Sequence, residues 1–90
     1  MKNLRKFDES SDFLEVVERI IPLGSQTFSK SHTQYPRGIS PLFAARAKGA
    51  HIWDIDGNKY VDLVNSLAAI TVGYSNKAVD QAVRKQLRKG

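Results

Sequence analysis

The feature that most constrains the fold is an alternation of apolar and polar residues through the middle of the chain. It covers residues 42–46, 50–55 and 59–63, and Asp56-Gly57-Asn58 separates the last two runs. A period of two is typical of half-buried strands, and Asp-Gly between two such runs favours a hairpin. The sequence therefore predicts a two- or three-stranded antiparallel meander, with another turn at Lys48-Gly49.

Segments with helical spacing lie on both sides of the meander. Apolar residues recur at three and four positions from Asp12 to Ile21, where Ser10, Ser11 or Asp12 is a candidate N-cap. A second helix is predicted at about Lys77 to Arg88, capped by Ser75. The predicted fold class is therefore α+β, in the order helix, long loop, meander and helix.

Two connections differ in character. The apolar run at residues 66–73 has no clear period and predicts a buried connection that ends at Gly73. The polar stretch at residues 22–41 predicts a loop of about twenty residues, and loops of that length are usually functional or disordered. Five of its side chains could contact an anionic ligand, although polar loops are also simply solvated: Thr27, Ser29, Lys30, Ser31 and Arg37.

Composition excludes several classes of protein. The 90 residues contain no Cys and only two His, which argues against disulfides, thiolate nucleophiles and His-rich zinc sites. No apolar run approaches the length of a membrane span, so a soluble cytoplasmic protein is expected. The net charge of +5 comes largely from the two ends, including Lys2 and Lys89, where solvated helix faces are the favoured interpretation.

General catalytic signatures are absent, and the remaining candidates have structural interpretations. Asp54 and Asp56 resemble a carboxylate pair, but turn chemistry explains them better. Trp53 and Tyr60 fall on paired strands, where sheet packing is favoured over stacking on nucleic-acid bases. His51 is expected to be a surface or hydrogen-bonded residue. A small basic nucleic-acid-binding or interaction module therefore remains the alternative to an enzyme.

One stretch of the chain resembles a known family. Residues 46–63, RAKGAHIWDIDGNKYVDL, resemble the opening hairpin of the class III aminotransferases, which has the form KGxxxWDxDGxxYxD. Upstream, IPLGSQTFSK at residues 21–30 and GISPLF at residues 38–43 are similar to the glutamate-1-semialdehyde aminomutase branch and its sugar-aminotransferase-like relatives. Downstream, VGY at residues 72–74 and the helix after it continue the similarity, which spans roughly residues 20–88.

The resemblance implies the N-terminal part of a fold-type-I transferase that depends on pyridoxal 5'-phosphate, an α/β enzyme that is normally a homodimer. Residues 1–90 would form the N-terminal segment of its small domain, without the catalytic large domain. In the family, the Schiff-base lysine and the phosphate-binding residues lie beyond the matched segment, so the resemblance assigns no catalytic residue here. The expected reaction moves an amino group from a small-molecule amino donor to a carbonyl acceptor, and these residues alone are expected to be inactive.

By the same resemblance, four residues are expected to bind substrate. Lys30 stands where the aminomutase branch has an arginine for the substrate carboxylate, and Thr27 stands at a nearby hydroxyl position. Ser66 and Leu67 fall where the family lines its pocket. Lysine in place of arginine lacks the bidentate fork, and Leu67 replaces a frequent aromatic, so a semialdehyde, a sugar or another carbonyl compound remains open as the substrate.

Overall fold

The fold is an antiparallel sheet with helices on either side of it in the sequence. The computed structural model describes residues 4–90, so Lys2 lies outside the described part. The elements in chain order are helix α1 (Asp8–Val17), strands β1 (Ala44–Lys48), β2 (His51–Asp54) and β3 (Lys59–Val61), a short turn α2 (Asn65–Ala68), and helix α3 (Lys77–Leu87). The predicted α+β class and element order are confirmed.

The three strands form the predicted meander, in the order β1-β2-β3 with antiparallel pairing throughout. The register of β1 on β2 shifts between Ala44 and Arg46, which bends β1 at its start. Across β2 and β3, Ile52 pairs with Tyr60 and Trp53 with Lys59. Since successive side chains of a strand point to opposite faces, Trp53 and Tyr60 lie on different faces of the sheet and do not form a cross-strand pair.

Helix α1 begins earlier than the apolar spacing predicts, and its N-cap residue is Phe7, whose side chain makes no capping bond. The free backbone N–H groups instead reach Asp56, in the turn between β2 and β3. Asp56 accepts hydrogen bonds from the amides of Glu9 at 2.8 Å and Ser10 at 3.1 Å, and from the Ser10 hydroxyl. Local sequence signals do not reveal this cap because its acceptor lies about 46 positions away in the chain.

The long loop is more regular than the sequence predicts. It contains two single turns of 3-10 helix, Pro22–Gly24 and Phe28–Lys30. Glu18, the residue directly after α1, contacts two residues of the loop: its Oε1 lies 2.8 Å from His32 Nε2 and 2.5 Å from Arg37 Nη2. The loop is therefore attached to the end of α1.

Helix α3 has the predicted position, but its cap is Asn76 and not Ser75. The Asn76 side chain accepts from the amides of Ala78 at 3.1 Å and Val79 at 3.3 Å, because it precedes the first helical residue directly. Every residue of α3 is exposed, so this helix does not pack over the sheet. The arrangement leaves a line of apolar side chains facing solvent: Val79, Val83 and Leu87.

The described residues bury little apolar surface among themselves. Only Phe7 and Leu14 are buried large hydrophobic residues. The accessible surface is 7357 Å², whereas a compact chain of this size has about 5300 Å². The radius of gyration is 15.5 Å, against about 12 Å for a compact domain. This thin arrangement has large apolar areas available for packing against further protein.

Residues 66–73 do not form the buried connection that the sequence predicts. Leu67 is 76% exposed and Val72 is 64% exposed, and the chain enters the short turn α2 directly after β3. Within residues 4–90, no helix combines the length and the apolar character needed to cross a bilayer.

Candidate functional site

A cavity of about 410 Å³ lies between the long loop, one face of the sheet and the segment that follows β3. Eight of its fifteen lining residues are apolar, and the other seven are three tyrosines, two carboxylates, one lysine and one serine. These polar residues are Tyr35, Tyr60, Tyr74, Asp54, Asp62, Lys30 and Ser66. A mostly apolar cavity with a few convergent polar groups is typical of a small-molecule site.

Lys30 reaches this cavity from the second 3-10 turn of the long loop. The turn is fixed by Ser31, which is fully buried and whose hydroxyl donates to the carbonyl of Phe28 at 2.7 Å. Ser31 Oγ also lies 2.5 Å from Thr33 Oγ1. Lys30 itself is exposed, and within residues 4–90 no carboxylate lies within 4.0 Å of its ammonium group. Its charge is therefore available to an anionic group in the cavity.

The other polar residues of the loop have different roles. Arg37 is paired with Glu18, and Ser31 is occupied inside the turn, so neither stands ready for a ligand. Thr27 is exposed, forms hydrogen bonds with Ser25 and does not line the cavity. Of the loop residues considered as contacts for an anion, the structure brings only Lys30 to the cavity.

The short turn α2 brings Ser66 to the same cavity in an unusual backbone conformation. Its four residues all have positive φ: Asn65 at 52°, Ser66 at 46°, Leu67 at 57° and Ala68 at 68°. This is a left-handed turn made without glycine, and each such residue costs about 1–2 kcal/mol. Strain of this kind persists only where the surroundings enforce it, and it clusters at functional sites. Ser66 lines the cavity, whereas Leu67 points away from it into solvent.

Asp62 organises the entrance of this left-handed turn. Its Oδ1 accepts from the amides of Val64 at 2.8 Å and Asn65 at 3.1 Å. Its Oδ2 accepts from the Tyr74 hydroxyl at 2.6 Å, and that hydroxyl lies 3.2 Å from Ser66 Oγ. The bond from Tyr74, assisted by the two amides, lowers the pKa of Asp62, while the same bond to a carboxylate raises the pKa of Tyr74.

Asp54 and Tyr60 form a second polar group in the cavity wall. Asp54 is buried and accepts from the amide of Asn58 at 2.7 Å, from Asn58 Nδ2 at 2.9 Å and from the Tyr60 hydroxyl at 2.8 Å. Burial, followed by the bond to Asp54, raises the pKa of Tyr60 to about 12. Three donors occupy the Asp54 carboxylate, which therefore stabilises the hairpin turn, in agreement with the structural interpretation from the sequence.

The opposite face of the sheet carries a basic surface around Trp53. The guanidinium of Arg46 lies 3.7 Å from the centre of the indole ring, and Lys59 Nζ lies 5.4 Å from it. Tyr60 is on the cavity side and is covered by Arg5 at 4.6 Å, so the two aromatic rings cannot form one stacking surface for bases. His51 is near Trp53, and no group of potential metal ligands occurs among residues 4–90.

Most of the polar residues of the cavity were not predicted from the sequence. Tyr35, Asp62 and Tyr74 were not singled out as site residues. Alternation along the hairpin places Ile52 and Tyr60 on one face of the sheet, but it does not identify that face as a site. Tyr74 follows Gly73 at a place where the chain returns to the sheet, and only the long-range bridge between Gly49 and Tyr74 reveals that it faces the cavity.

Comparisons with known proteins give consistent matches. The family model described as aminotransferase class-III matches residues 34–90. Glutamate-1-semialdehyde 2,1-aminomutase from Syntrophobacter fumaroxidans is 40% identical over 83 residues, which cover 92% of this chain and 19% of that protein. The chain thus spans about one fifth of the length of the curated relatives it matches.

Solved structures resemble the fold as well. A β-phenylalanine aminotransferase from Variovorax paradoxus superposes with a TM-score of 0.79 at 28% identity, over 91% of this chain and 18% of that one. A glutamate-1-semialdehyde aminomutase from Pseudomonas aeruginosa in complex with PMP superposes with a TM-score of 0.76 at 29% identity, over 91% of this chain and 17% of that one. None of these matches supports a basic nucleic-acid-binding module.

Proposed function

Because the chain belongs to the class III aminotransferase family, and its relatives include glutamate-1-semialdehyde aminomutases, we propose that the whole protein is an aminotransferase or aminomutase that uses pyridoxal 5'-phosphate. It would transfer an amino group between a small-molecule amino donor and a carbonyl acceptor. The same proposal makes the whole protein a homodimer located in the cytoplasm. The exposed apolar surfaces, among them the outer line of α3, support packing of this segment against the remainder of such an enzyme.

The cofactor, when bound, supplies the electron sink for amino-group chemistry. A phosphate group needs several converging N–H donors or cations. Among the residues that line the cavity, Lys30 is the only one with a cationic side chain, which is enough for one carboxylate but not for the several donors of a phosphate site. The described residues therefore do not fit as the holder of the cofactor phosphate, and we assign to them only contacts with the substrate.

The observation that carries the proposal is the meeting of Lys30 and Ser66 at one cavity. They are far apart in the sequence and come from the long loop and the left-handed turn, and the resemblance assigned both to the substrate site. The unpaired ammonium of Lys30 would attract a carboxylate or another anionic group of the substrate. Ser66 would offer a hydroxyl to the substrate in the same cavity. Thr27 and Leu67 do not line the cavity and would reach a substrate only after a rearrangement.

Kinetics on variants of the full-length protein test this assignment. An ammonium–carboxylate contact is worth about 1.5 to 3 kcal/mol, so Lys30→Ala should lower kcat/KM for an anionic substrate roughly ten- to hundredfold. The loss should appear mainly as a higher KM, with unchanged cofactor content. Lys30→Arg should retain or improve binding, because arginine offers two parallel donors to a carboxylate.

Lys48→Ala provides the matched control, since Lys48 is exposed at the end of β1 and does not line the cavity. It should leave kcat/KM unchanged. Equal specificity constants for Lys30→Ala and the unsubstituted enzyme would remove Lys30 from the substrate site. Lack of any amino transfer by the full-length protein with bound pyridoxal phosphate would contradict the proposed reaction itself.

A further inference from the structure

The left-handed turn α2 is not held by packing of its own side chains. Leu67 is 76% exposed, and Ala68 is exposed as well. The backbone bonds recorded around the turn are long: the Leu67 amide donates to Val64 O at 3.2 Å, the Ala69 amide to Ser66 O at 3.3 Å and the Ile70 amide to Asn65 O at 3.3 Å. The shortest bond at its entrance runs from the Val64 amide to Asp62 at 2.8 Å. The turn, with its four positive φ angles, therefore depends on the side chain of Asp62, which lies outside it.

Tyr74 connects the side chain of Asp62 to the sheet. The backbone of Tyr74 forms a two-bond bridge with Gly49, in the turn between β1 and β2, with both N···O distances at 2.9 Å. Gly73 makes this close approach possible: a Cβ there would lie 3.1 Å from Gly49 O, and its φ is 82°. The position of the Tyr74 ring is thus fixed by the hairpin, which is the most regular part of the chain.

From this fixed position, one hydroxyl contacts both the Asp62 carboxylate and the Ser66 hydroxyl, at 2.6 and 3.2 Å. Asp62 and Tyr74 line the cavity of about 410 Å³ and also a neighbouring one of about 340 Å³ that reaches Gly49 and Thr71. The pair stands as a partition between the two cavities, directly beside the left-handed turn.

We propose that Tyr74, acting through Asp62, is a positioning residue that holds turn α2 in its left-handed conformation and thereby sets Ser66 at the substrate wall. This inference rests on the proposed function for its catalytic consequence, while its structural part does not. Without the Tyr74 hydroxyl, Asp62 Oδ2 loses its link to the sheet, and the turn is free to relax toward ordinary backbone angles. Substrate capture then weakens because Ser66 is displaced, although Lys30 and Ser66 are both still present.

The test is Tyr74→Phe in the full-length protein with bound cofactor, because this variant keeps the ring and removes one oxygen. Amide hydrogen exchange at Val64 and Asn65 should become about tenfold faster, since these amides donate to Asp62. The KM for the amino substrate should rise about tenfold, with kcat changed less than threefold. Asp62→Ala, which removes both acceptor oxygens, should reproduce both effects.

A double-mutant cycle separates positioning of Ser66 from a general loss of structure. If Tyr74 acts through Ser66, then Ser66→Ala combined with Tyr74→Phe should raise KM no further than Ser66→Ala alone. Tyr60→Phe is the matched control for exchange, because its hydroxyl bonds to Asp54 and should leave the amides of Val64 and Asn65 unchanged. KM effects that multiply in the double variant would overturn the coupling to Ser66.

Unchanged exchange at both amides in Tyr74→Phe and in Asp62→Ala would overturn the positioning role altogether. The exchange result stands apart from the proposed function. If the full-length protein transfers no amino group, the proposed function fails, and the exchange rates alone then decide whether Tyr74 holds the turn.

Discussion

Replacing Asp56 by alanine tests the contact that attaches helix α1 to the hairpin. The carboxylate accepts two backbone N–H groups of the first helical turn and the hydroxyl of Ser10, which is fully buried. Loss of an N-cap acceptor costs about 0.5–2 kcal/mol, and a buried hydroxyl without its partner costs about 1–3 kcal/mol. These terms overlap, so we expect Asp56→Ala to lower the local stability of α1 by about 2 kcal/mol.

Hydrogen exchange of the α1 amides in the full-length protein measures this local stability directly. A loss of about 2 kcal/mol corresponds to roughly 30-fold faster exchange across residues 11–17. Asp12→Ala is the control: Asp12 is exposed on the same helix, and surface substitutions of this kind usually change stability by less than about 0.5 kcal/mol. If α1 exchanges at the same rate in Asp56→Ala and Asp12→Ala, then Asp56 is not the cap of this helix.

Two further predictions concern ionisation and folding. The raised pKa of Tyr60, about 12, means that its neutral form stabilises the fold fully below pH 10, and this stabilisation is lost as the pH rises toward 12. It amounts to about 1 kcal/mol after screening of a half-buried group, and in an alkaline absorbance titration Tyr60→Phe should remove the component near pH 12. Residues 1–90 expressed alone should be partly unfolded or self-associating, because 7357 Å² of surface remains accessible; a sharp, concentration-independent melting transition would contradict this.

The hairpin was predictable because its signals are local. Alternation at residues 50–63 and the Asp56-Gly57 turn are contained within a few positions, and the resulting strands differ from the prediction only at their ends. The apolar spacing of α1 and α3 was equally visible in the sequence. Helix α3 begins at the predicted Lys77, whereas the start of α1 was not predicted, because Phe7 is a poor cap and the actual acceptor, Asp56, belongs to a distant turn.

The left-handed turn could not be predicted from residues 65–68, since none of them is glycine and no local propensity favours four positive φ angles. It exists because Asp62 and Tyr74 hold it, and that arrangement depends on the bridge to Gly49. The resemblance to a family pointed to Lys30 and Ser66, and both line the cavity. It also pointed to Thr27 and Leu67, which do not line it, and their place in the substrate site stays a prediction.

The central claim is that Lys30 and Ser66 form two walls of one substrate pocket. A crystal structure of the full-length protein with an unreactive analogue of an anionic amino substrate tests this most directly. The account predicts that Lys30 Nζ lies within hydrogen-bonding distance of an anionic group of the analogue, with the left-handed turn and Ser66 beside it. An analogue bound elsewhere, with Lys30 in solvent and no contact to Ser66, would contradict the account.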